Sequence, residues 1–311
     1  MKLKLLVVVD NHEWAMSKRA KAVLEQMPGV DATVVPARSM EGKKRPDTKN
    51  FDALWCAGYA SFVREPPSIP WIWTVAGEGE RLANILDRCP PWGWRASAIF
   101  VQTFKGLTET AKYTRGDIPL LLTPHGVDSA FFTPAKVRNS VRMVGMAANV
   151  SDAEKAEHKG LMYAKEGSAA ARVEFKLAPC FPIEERLTLK QMPGFYQALW
   201  AYCQPSISEG GSNTLMEAMS CGLPCLICKG VGYHGEVCRD AREHEDGEVL
   251  FVERSIRSVK ETLIRLRRDG DLYRRMRLNA RTFAKQHPWA GVASRMEDVF
   301  RYITMGAEKP E

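Results

Sequence analysis

Two glutamates eight residues apart flank a turn of small residues in the second half of the chain. Glu209 precedes two consecutive glycines, and Glu217 lies about one turn inside the helix that follows them. Ser212 or Asn213 would cap this helix. The turn exposes backbone amides, so together with the positive end of the helix dipole it would bind an anion such as a diphosphate. Because carboxylates repel phosphate, both glutamates are better suited to accept hydrogen bonds from sugar hydroxyls.

This segment resembles the E-x7-E signature of the retaining glycosyltransferases of family 4, and other segments are similar to further motifs of that family. Residues 124–134 resemble its N-G-V-D…F-x-P link. Residues 144–145 followed by 158–161 resemble its strand and K-G turn. Residues 192–196 resemble its M-x-x-F-Y helix, and residues 232–237 its G-x-x-E turn. The resemblance extends from about residue 121 to residue 303, including the final helix.

The resemblance implies an α/β chain of GT-B architecture. In that architecture two doubly wound, Rossmann-like domains face each other across a cleft, and a C-terminal helix crosses back to the first domain. We expect residues 1–128, completed by about 290–311, to form the acceptor-side domain, and residues 129–289 to bind the nucleotide sugar. The expected hinge residues are His125, Gly126 and Asp128.

The resemblance also implies metal-independent transfer of a hexosyl or pentosyl group, with retention, from a nucleotide diphosphate sugar to an acceptor hydroxyl. A UDP-sugar is the expected donor, and no cofactor is expected. Lys159 would bind the diphosphate, Glu209 would orient the sugar, and Glu217 would hold the ribose. The expected donor-binding residues are Gly210, Gly211, Ser212, Asn213, Thr214, Glu217, Asn149 and Glu236.

The chain departs from the family pattern at two positions. Met146 follows Gly145 where many members carry arginine, and Ala76 stands where many members carry a first-domain histidine. Asp10 or His12, in the polar loop after the first strand, would have to replace that histidine as a catalytic residue. These departures motivate an alternative, a catalytically inactive module that only binds a nucleotide sugar.

Basic residues suggest an anionic partner. One polar loop carries Lys43, Lys44, Arg45 and Lys49. The acceptor could be a cell-envelope glycan or lipid, with this loop and tryptophans such as Trp92 and Trp94 on an anionic membrane surface. It could equally be a hydroxylated base in DNA, with the loop along the phosphates. A second surplus, at residues 255–286, predicts two surface helices with solvated basic faces or a polyanion contact.

Four cysteines within 18 residues raise the question of a zinc site. They are Cys221, Cys225, Cys228 and Cys238. Two of them fall three positions apart in a short strand, where side chains point to opposite faces, so their spacing does not suit a shared metal. We therefore expect no metal.

Alternating apolar runs and helical patterns supply the elements that would position these residues. The runs predict strands at 3–9, 33–36, 51–56, 70–75, 98–101 and 120–122, and then at 141–147, 174–177, 202–205, 224–228 and 249–252. Helices are predicted at 13–26, 79–86 and 104–113, after residue 159, and at 192–199 and 212–220. This order predicts two parallel sheets, with a boundary near 128–140.

Length and composition agree with two folded domains. The chain has 311 residues, 45% hydrophobic and 26% charged residues, and a formal net charge of +7. These values are unlike those of disordered or fibrous proteins. No run reaches the ~18 apolar residues that a membrane-spanning helix needs. We expect a cytoplasmic protein, peripheral to a membrane or associated with DNA; the sequence does not specify an oligomeric state.

Overall fold

The chain forms two compact α/β units. The computed structural model describes residues 2–9, 15–37, 47–58, 67–75, 82, 86–87, 89, 94–114, 116, 118–136, 141–179, 185–232 and 247–305. Within these residues, the first unit comprises the chain up to His125 and from Trp289 onward. The second unit comprises the chain from Gly126 to Pro288.

The first unit is built on a parallel sheet whose described strands lie in the order β2-β1-β3-β4-β5-β6. The strands are β1 (Leu3–Val9), β2 (Val30–Pro36), β3 (Ala53–Ala57), β4 (Trp71–Val75), β5 (Ala98–Val101) and β6 (Leu120–Leu122). The described helices are α1 (Ala15–Leu24), α2 (Phe104–Thr114) and the C-terminal helix (Trp289–Met305).

Both faces of this sheet are covered, which explains its nearly continuous apolar strands. In β1, positions 3, 5, 7 and 9 pack in one cluster with α1 and the C-terminal helix, whose Phe300 is fully buried. Positions 6 and 8 of the same strand pack in a second cluster on the opposite face, together with Trp73. The C-terminal helix therefore completes the core of the first unit, although it follows the second unit in sequence.

The second unit contains another parallel sheet, with described strands in the order β13-β11-β9-β7-β8. Its strands are β7 (Met143–Ala148), β8 (Glu174–Pro179), β9 (Ala201–Gln204), β11 (Cys225–Ile227) and β13 (Leu250–Phe251). A separate parallel pair joins β10 (Glu209–Gly210) to β12 (Val231–Gly232). The described helices are α3 (Ala153–Lys159), α4 (Leu161–Ala170), α5 (Met192–Gln197), α6 (Asn213–Ser220), α7 (Ile256–Arg268) and α8 (Gly270–Gln286).

The order of this second sheet reverses at β7. Strand β8 lies on one side of β7 and strand β9 on the other. In open α/β sheets, ligands bind beyond the carboxyl ends of the strands at such a reversal. The segments leaving β7 and β9, which lead to Lys159 and Glu209 respectively, therefore emerge at the position where this fold class binds ligands.

The sequence predictions omitted two kinds of element. Helix α3 was not predicted, and none of its residues is buried, so it shows no apolar periodicity. The β10–β12 pair was also missed, because its strands are only two residues long. No helix among the described residues has the length and hydrophobicity to cross a membrane.

The structure bears on two expectations about surface residues. Trp94 is half-buried and packs between Trp73 and Tyr113, with ring centroids 5.6 and 5.7 Å away, so it is not a freely exposed membrane contact. In the two basic helices, Arg267 and Arg277 direct guanidinium groups at backbone carbonyls of their own unit. Part of the basic surplus thus has a structural role. Trp92 lies outside the described residues.

Candidate functional site

The glycine turn lies between β10 and α6. Gly211 has a φ of +118°, which residues with side chains rarely adopt. Ser212 is the cap of α6, and its hydroxyl oxygen accepts a hydrogen bond from the Leu215 amide at 3.2 Å. Asn213 is the first residue of the helix. The turn therefore leads directly into a helix N-terminus, whose amides and dipole favour an anion.

A network of hydroxyl groups fixes this helix start to the end of β9. The Ser212 hydroxyl donates to Gln204 Oε1 at 2.8 Å and lies 3.1 Å from the Thr214 hydroxyl. The Tyr202 hydroxyl donates to Thr214 Oγ1 at 2.9 Å. Because Ser212 already donates to Gln204, the Thr214 hydroxyl must donate to Ser212, which uses the full hydrogen-bonding capacity of Ser212. Ser212 and Thr214 therefore orient the turn from inside.

Lys159 and Glu209 form an ion pair at the edge of the turn. Their ammonium and carboxylate groups are in contact, and only 22% and 15% of the two side chains are exposed. Two contacts join the segment that carries Lys159 to the segment that carries Glu209. The Ile207 amide donates to the His158 carbonyl at 2.9 Å, and His158 Nε2 lies 3.1 Å from the Ser208 carbonyl oxygen. The structure thus joins two candidate catalytic residues that lie 50 positions apart.

A glycine and an arginine maintain the close approach of these segments. Gly160 has a φ of +72°, and a Cβ atom there would lie 2.3 Å from the Pro205 carbonyl oxygen. Arg254 donates from Nε to the same oxygen at 3.1 Å and from Nη2 to the Glu157 backbone carbonyl and side chain. The backbone around Lys159 is therefore held by the close approach of Gly160 to Pro205 and by the hydrogen bonds from Arg254.

Glu217 lies on α6 and accepts a hydrogen bond from the Tyr196 hydroxyl, with 2.8 Å between the tyrosine oxygen and Glu217 Oε2. Tyr196 is fully buried on α5. Burial, with a smaller contribution from the Glu217 charge, raises the pKa of Tyr196 well above its ordinary value. The phenol consequently stays protonated and remains a donor to the carboxylate throughout the working range of pH.

The loop after β7 carries Asn149. Its Oδ1 accepts a hydrogen bond from the Ser151 amide at 3.1 Å, which shapes the entry to α3. Asp152 caps α3 by accepting from the Lys155 amide at 2.8 Å. The hydrogen bond from the Lys155 side chain is the largest cause that lowers the pKa of Asp152, to about 2. This capped loop supports the helix that ends in Lys159.

The three expected hinge residues lie where the chain passes between units. His125 is the last residue of the first unit in this part of the chain, and Gly126 begins the second. Asp128 Oδ1 accepts from the amides of the residues at 130 and 131 at 3.0 and 2.9 Å. The Val127 amide donates to the His287 carbonyl at 3.0 Å, so the outgoing chain pairs with the segment that returns.

Several predicted residues cannot be placed. Lys49 is exposed on the first unit, and its amide donates to the Asp47 carboxylate at 3.2 Å. The predicted residues that lie outside the described part of the chain are Asp10, His12, Lys43, Lys44, Arg45 and Glu236. The roles assigned to them stay predictions.

The described cysteines of the second unit are buried thiols. Desolvation raises the pKa of Cys221 to about 12 and that of Cys228 to about 11, and it raises the pKa of Cys203 and Cys225 as well. The described part of the chain contains no group of three or more His, Cys, Asp or Glu side chains that could hold a metal ion. Cys238 lies outside it.

The sequence predictions also missed residues that support the site. Arg254, Gln204 and the hydroxyl of Tyr202 were not predicted, and Tyr196 was noted only as part of a family motif. Arg254 is one of many arginines in a basic chain, so its type gives no signal. A polar residue at the end of a buried strand, as at Gln204, is a signal that could have been used.

Residue 146 shows why no arginine acts from β7. Met146 is fully buried in the middle of the strand, in the core on one face of the sheet. The strand then continues through two further residues to Asn149. A cation at position 146 would lie in this apolar core, whereas Lys159 contacts Glu209 at the edge of the glycine turn.

Comparison with known proteins supports the fold, and one segment of the second unit matches a family model. Residues 185–283 match the family described as glycosyl transferases group 1. The matched segment includes Tyr196, Glu209 and Glu217, whereas Lys159 lies before it. The sequence matches none of the curated proteins with which it was compared.

Solved structures of glycosyltransferases share the architecture of both units. Sucrose-phosphate synthase from Thermosynechococcus elongatus is 12% identical with a TM-score of 0.71, over 98% of this chain and 100% of that chain. HepE from Anabaena, solved with UDP and glucose, is 12% identical with a TM-score of 0.70, over 95% and 98%. The pneumococcal O-GlcNAc transferase GtfA, solved with UDP and GlcNAc, is 15% identical with a TM-score of 0.59, over 81% of this chain. This chain spans 57% of that last protein's length. These similarities confirm the expected two-domain Rossmann-like fold.

Proposed function

We propose that the chain is a GT-B glycosyltransferase that transfers a sugar from a nucleotide diphosphate sugar to an acceptor hydroxyl, with retention and without a metal ion. The observation that carries the proposal is the Lys159–Glu209 ion pair beside the start of α6. A UDP-sugar is the proposed donor, since two of the similar structures were solved with UDP and a sugar.

The chemistry begins at the bond between the anomeric carbon and the diphosphate. As this bond breaks, its electron pair leaves with the nucleoside diphosphate, and negative charge accumulates on the departing oxygen. The acceptor oxygen bonds to the anomeric carbon on the same face and passes its proton to the departing diphosphate oxygen. A fixed ammonium group at Lys159 and the amides at the start of α6 would stabilise this charge more in the transition state than in the ground state.

The two glutamates would act on the neutral parts of the donor. Glu209 would accept hydrogen bonds from hydroxyls of the transferred sugar, and Glu217 from those of the ribose. In this arrangement Lys159 offsets the charge of Glu209, so the carboxylate does not repel the diphosphate as strongly as an unpaired one would. The ion pair therefore allows a carboxylate and a diphosphate to occupy neighbouring positions.

A donor panel tests the proposal. The full chain is incubated with UDP-glucose, UDP-GlcNAc, UDP-galactose or GDP-mannose, and release of nucleoside diphosphate is measured with and without an acceptor, in the presence of EDTA. The acceptor arms are a cell-envelope glycan and lipid extract and hydroxymethylated duplex DNA. We expect acceptor-dependent release that EDTA does not reduce, and an α-configured product by proton NMR.

Each arm has an outcome that contradicts part of the proposal. Acceptor-dependent release that EDTA abolishes would contradict metal independence, and a product of inverted configuration would contradict retention. UDP binding by calorimetry without release in any arm would favour the inactive binding module. Transfer to DNA should weaken steeply with salt, because phosphate contacts release counterions, whereas transfer to a neutral glycan should not.

A further inference from the structure

A buried tyrosine hydroxyl touches the carboxylate that the proposed function assigns to the ribose. Tyr196 on α5 donates to Glu217 Oε2 on α6 at 2.8 Å, and the two residues lie 21 positions apart. The tyrosine ring is fully buried and packs edge-on against Phe132, Phe195 and Tyr202, with centroids 5.3 to 6.0 Å apart. The ring therefore has a fixed position from which its hydroxyl can orient a neighbour.

The aromatic packing and the hydroxyl group have separable roles. Phenylalanine would retain the ring contacts, since it has nearly the same volume and shape. Only the hydroxyl distinguishes tyrosine from phenylalanine here, and burying it costs free energy unless it has a partner. Its hydrogen bond to an ionised carboxylate is of the strong, charge-assisted kind.

A carboxylate that accepts from Tyr196 can also accept from a ligand. A carboxylate has about four lone-pair positions, and Tyr196 occupies one of them on Oε2. Glu217 is only partly buried, although its neighbours in α6, Met216 and Ala218, are fully buried. A glutamate side chain has several rotatable bonds, so an anchored oxygen reduces the number of orientations that ligand binding must select.

We propose that Tyr196 is a positioning residue, which holds the Glu217 carboxylate in the orientation that accepts the ribose hydroxyls of the donor. This inference rests on the proposed function, because it assumes that Glu217 binds a nucleotide. Tyr196 does not itself contact the nucleotide in this proposal. Its hydroxyl acts only through the carboxylate, so its effect should be confined to ligands that carry ribose hydroxyls.

Calorimetric binding of UDP and of 2′,3′-dideoxy-UDP tests this proposal. We expect the wild-type chain to bind UDP about tenfold or more tightly than the dideoxy compound, because unpaired buried acceptors disfavour a ligand lacking donors. Tyr196→Phe should weaken UDP binding about tenfold and change dideoxy-UDP binding less than about twofold. A merely structural role would weaken both ligands equally.

A matched variant and a double variant serve as controls. Tyr273 is another buried tyrosine of the second unit, and its hydroxyl donates to the Trp200 carbonyl oxygen at 3.0 Å. Tyr273→Phe also removes a tyrosine hydroxyl, and it should leave the affinities for UDP and for 2′,3′-dideoxy-UDP unchanged. On a Glu217→Ala background, Tyr196→Phe should change UDP affinity less than about twofold, since the carboxylate through which it acts is absent. Thermal unfolding of each variant verifies that it is folded.

The outcomes separate this inference from the proposed function. If wild type prefers UDP and Tyr196→Phe keeps that preference, the positioning role is overturned and the proposed function stands. Equal loss of both ligands in Tyr196→Phe, or an undiminished effect on the Glu217→Ala background, also overturns it. If wild type binds neither compound while remaining folded, the proposed UDP-sugar donor is wrong, and this inference is wrong with it.

Discussion

Removing the Lys159 ammonium is the most direct perturbation of the proposed chemistry. In Lys159→Ala, the end of α3 keeps its backbone, because the left-handed Gly160 and the Arg254 contacts do not involve the lysine side chain. The substitution therefore removes one charge at a defined position. It also leaves the Glu209 carboxylate, which is 15% exposed, without its cation.

The magnitude follows from the partial burial of the pair. At an effective dielectric constant of about 20, two unit charges ~4 Å apart interact by about 4 kcal/mol. Loss of one preorganised donor to a developing oxyanion costs about 2.7 to 4 kcal/mol in other enzymes, or two to three orders of magnitude in kcat. The unpaired Glu209 would also repel the departing diphosphate. We expect kcat to fall by about 100- to 1,000-fold, with a smaller rise in KM for the donor.

The assay is acceptor-dependent release of nucleoside diphosphate under saturating donor. Lys155→Ala is the matched control, since Lys155 lies one turn earlier on α3, is about half exposed and pairs with Asp152. It should retain kcat within about twofold, as exposed ion pairs contribute little. If Lys159→Ala kept kcat within about fivefold of wild type while folded, the assignment of this ammonium to the leaving group would be refuted.

Two further predictions concern the segment that carries this lysine. Gly160→Ala should reduce the free energy of unfolding by about 2 kcal/mol or more in urea titrations, because its Cβ would lie 2.3 Å from the Pro205 carbonyl oxygen at a φ of +72°. Gly194→Ala, where no atom lies within 4 Å of the added Cβ, should change stability by less than about 1 kcal/mol and serves as control. The pKa of Asp152 is about 2, below its unfolded value, so its contribution to stability is complete above about pH 4 and is lost as the pH falls through about 2. An NMR titration of the Asp152 carboxyl should show this low value, and Lys155→Ala should raise it toward the ordinary range; an unchanged value would contradict the assigned cause.

The strands were the most predictable part of the fold. The predicted ranges 3–9, 98–101 and 120–122 coincide with β1, β5 and β6. Short apolar runs between polar residues specify a buried strand almost completely, because both faces of a parallel sheet are covered. The prediction failed for α3, a helix without a buried residue, which only its Asp152 cap signals.

The principal residues of the site could be predicted from the sequence, but the residues that hold them in place could not. Glu209, Lys159 and Glu217 belong to motifs with fixed spacing, and the structure brings the first two into contact. The contacts that hold them could not be read from spacing. Whether the Tyr196 hydroxyl reaches Glu217, or Arg254 reaches the Pro205 carbonyl, depends on how separate helices and strands pack.

The electrostatics of α6 connect the basic composition of the chain to the proposed site. The carboxyl end of this helix receives two guanidinium groups from α8, since Arg281 donates to the Ser220 carbonyl and Arg277 to the Gly222 carbonyl at 2.9 Å. Cations at a helix C-terminus offset the negative end of its dipole. The amino end, beside Gly211 and Lys159, keeps its positive potential. Some of the positive charge that first suggested a polyanion partner is thus used inside the second unit. Because these arginines offset the negative end of the dipole, α6 favours an anion at its amino end, where the donor diphosphate is proposed to bind.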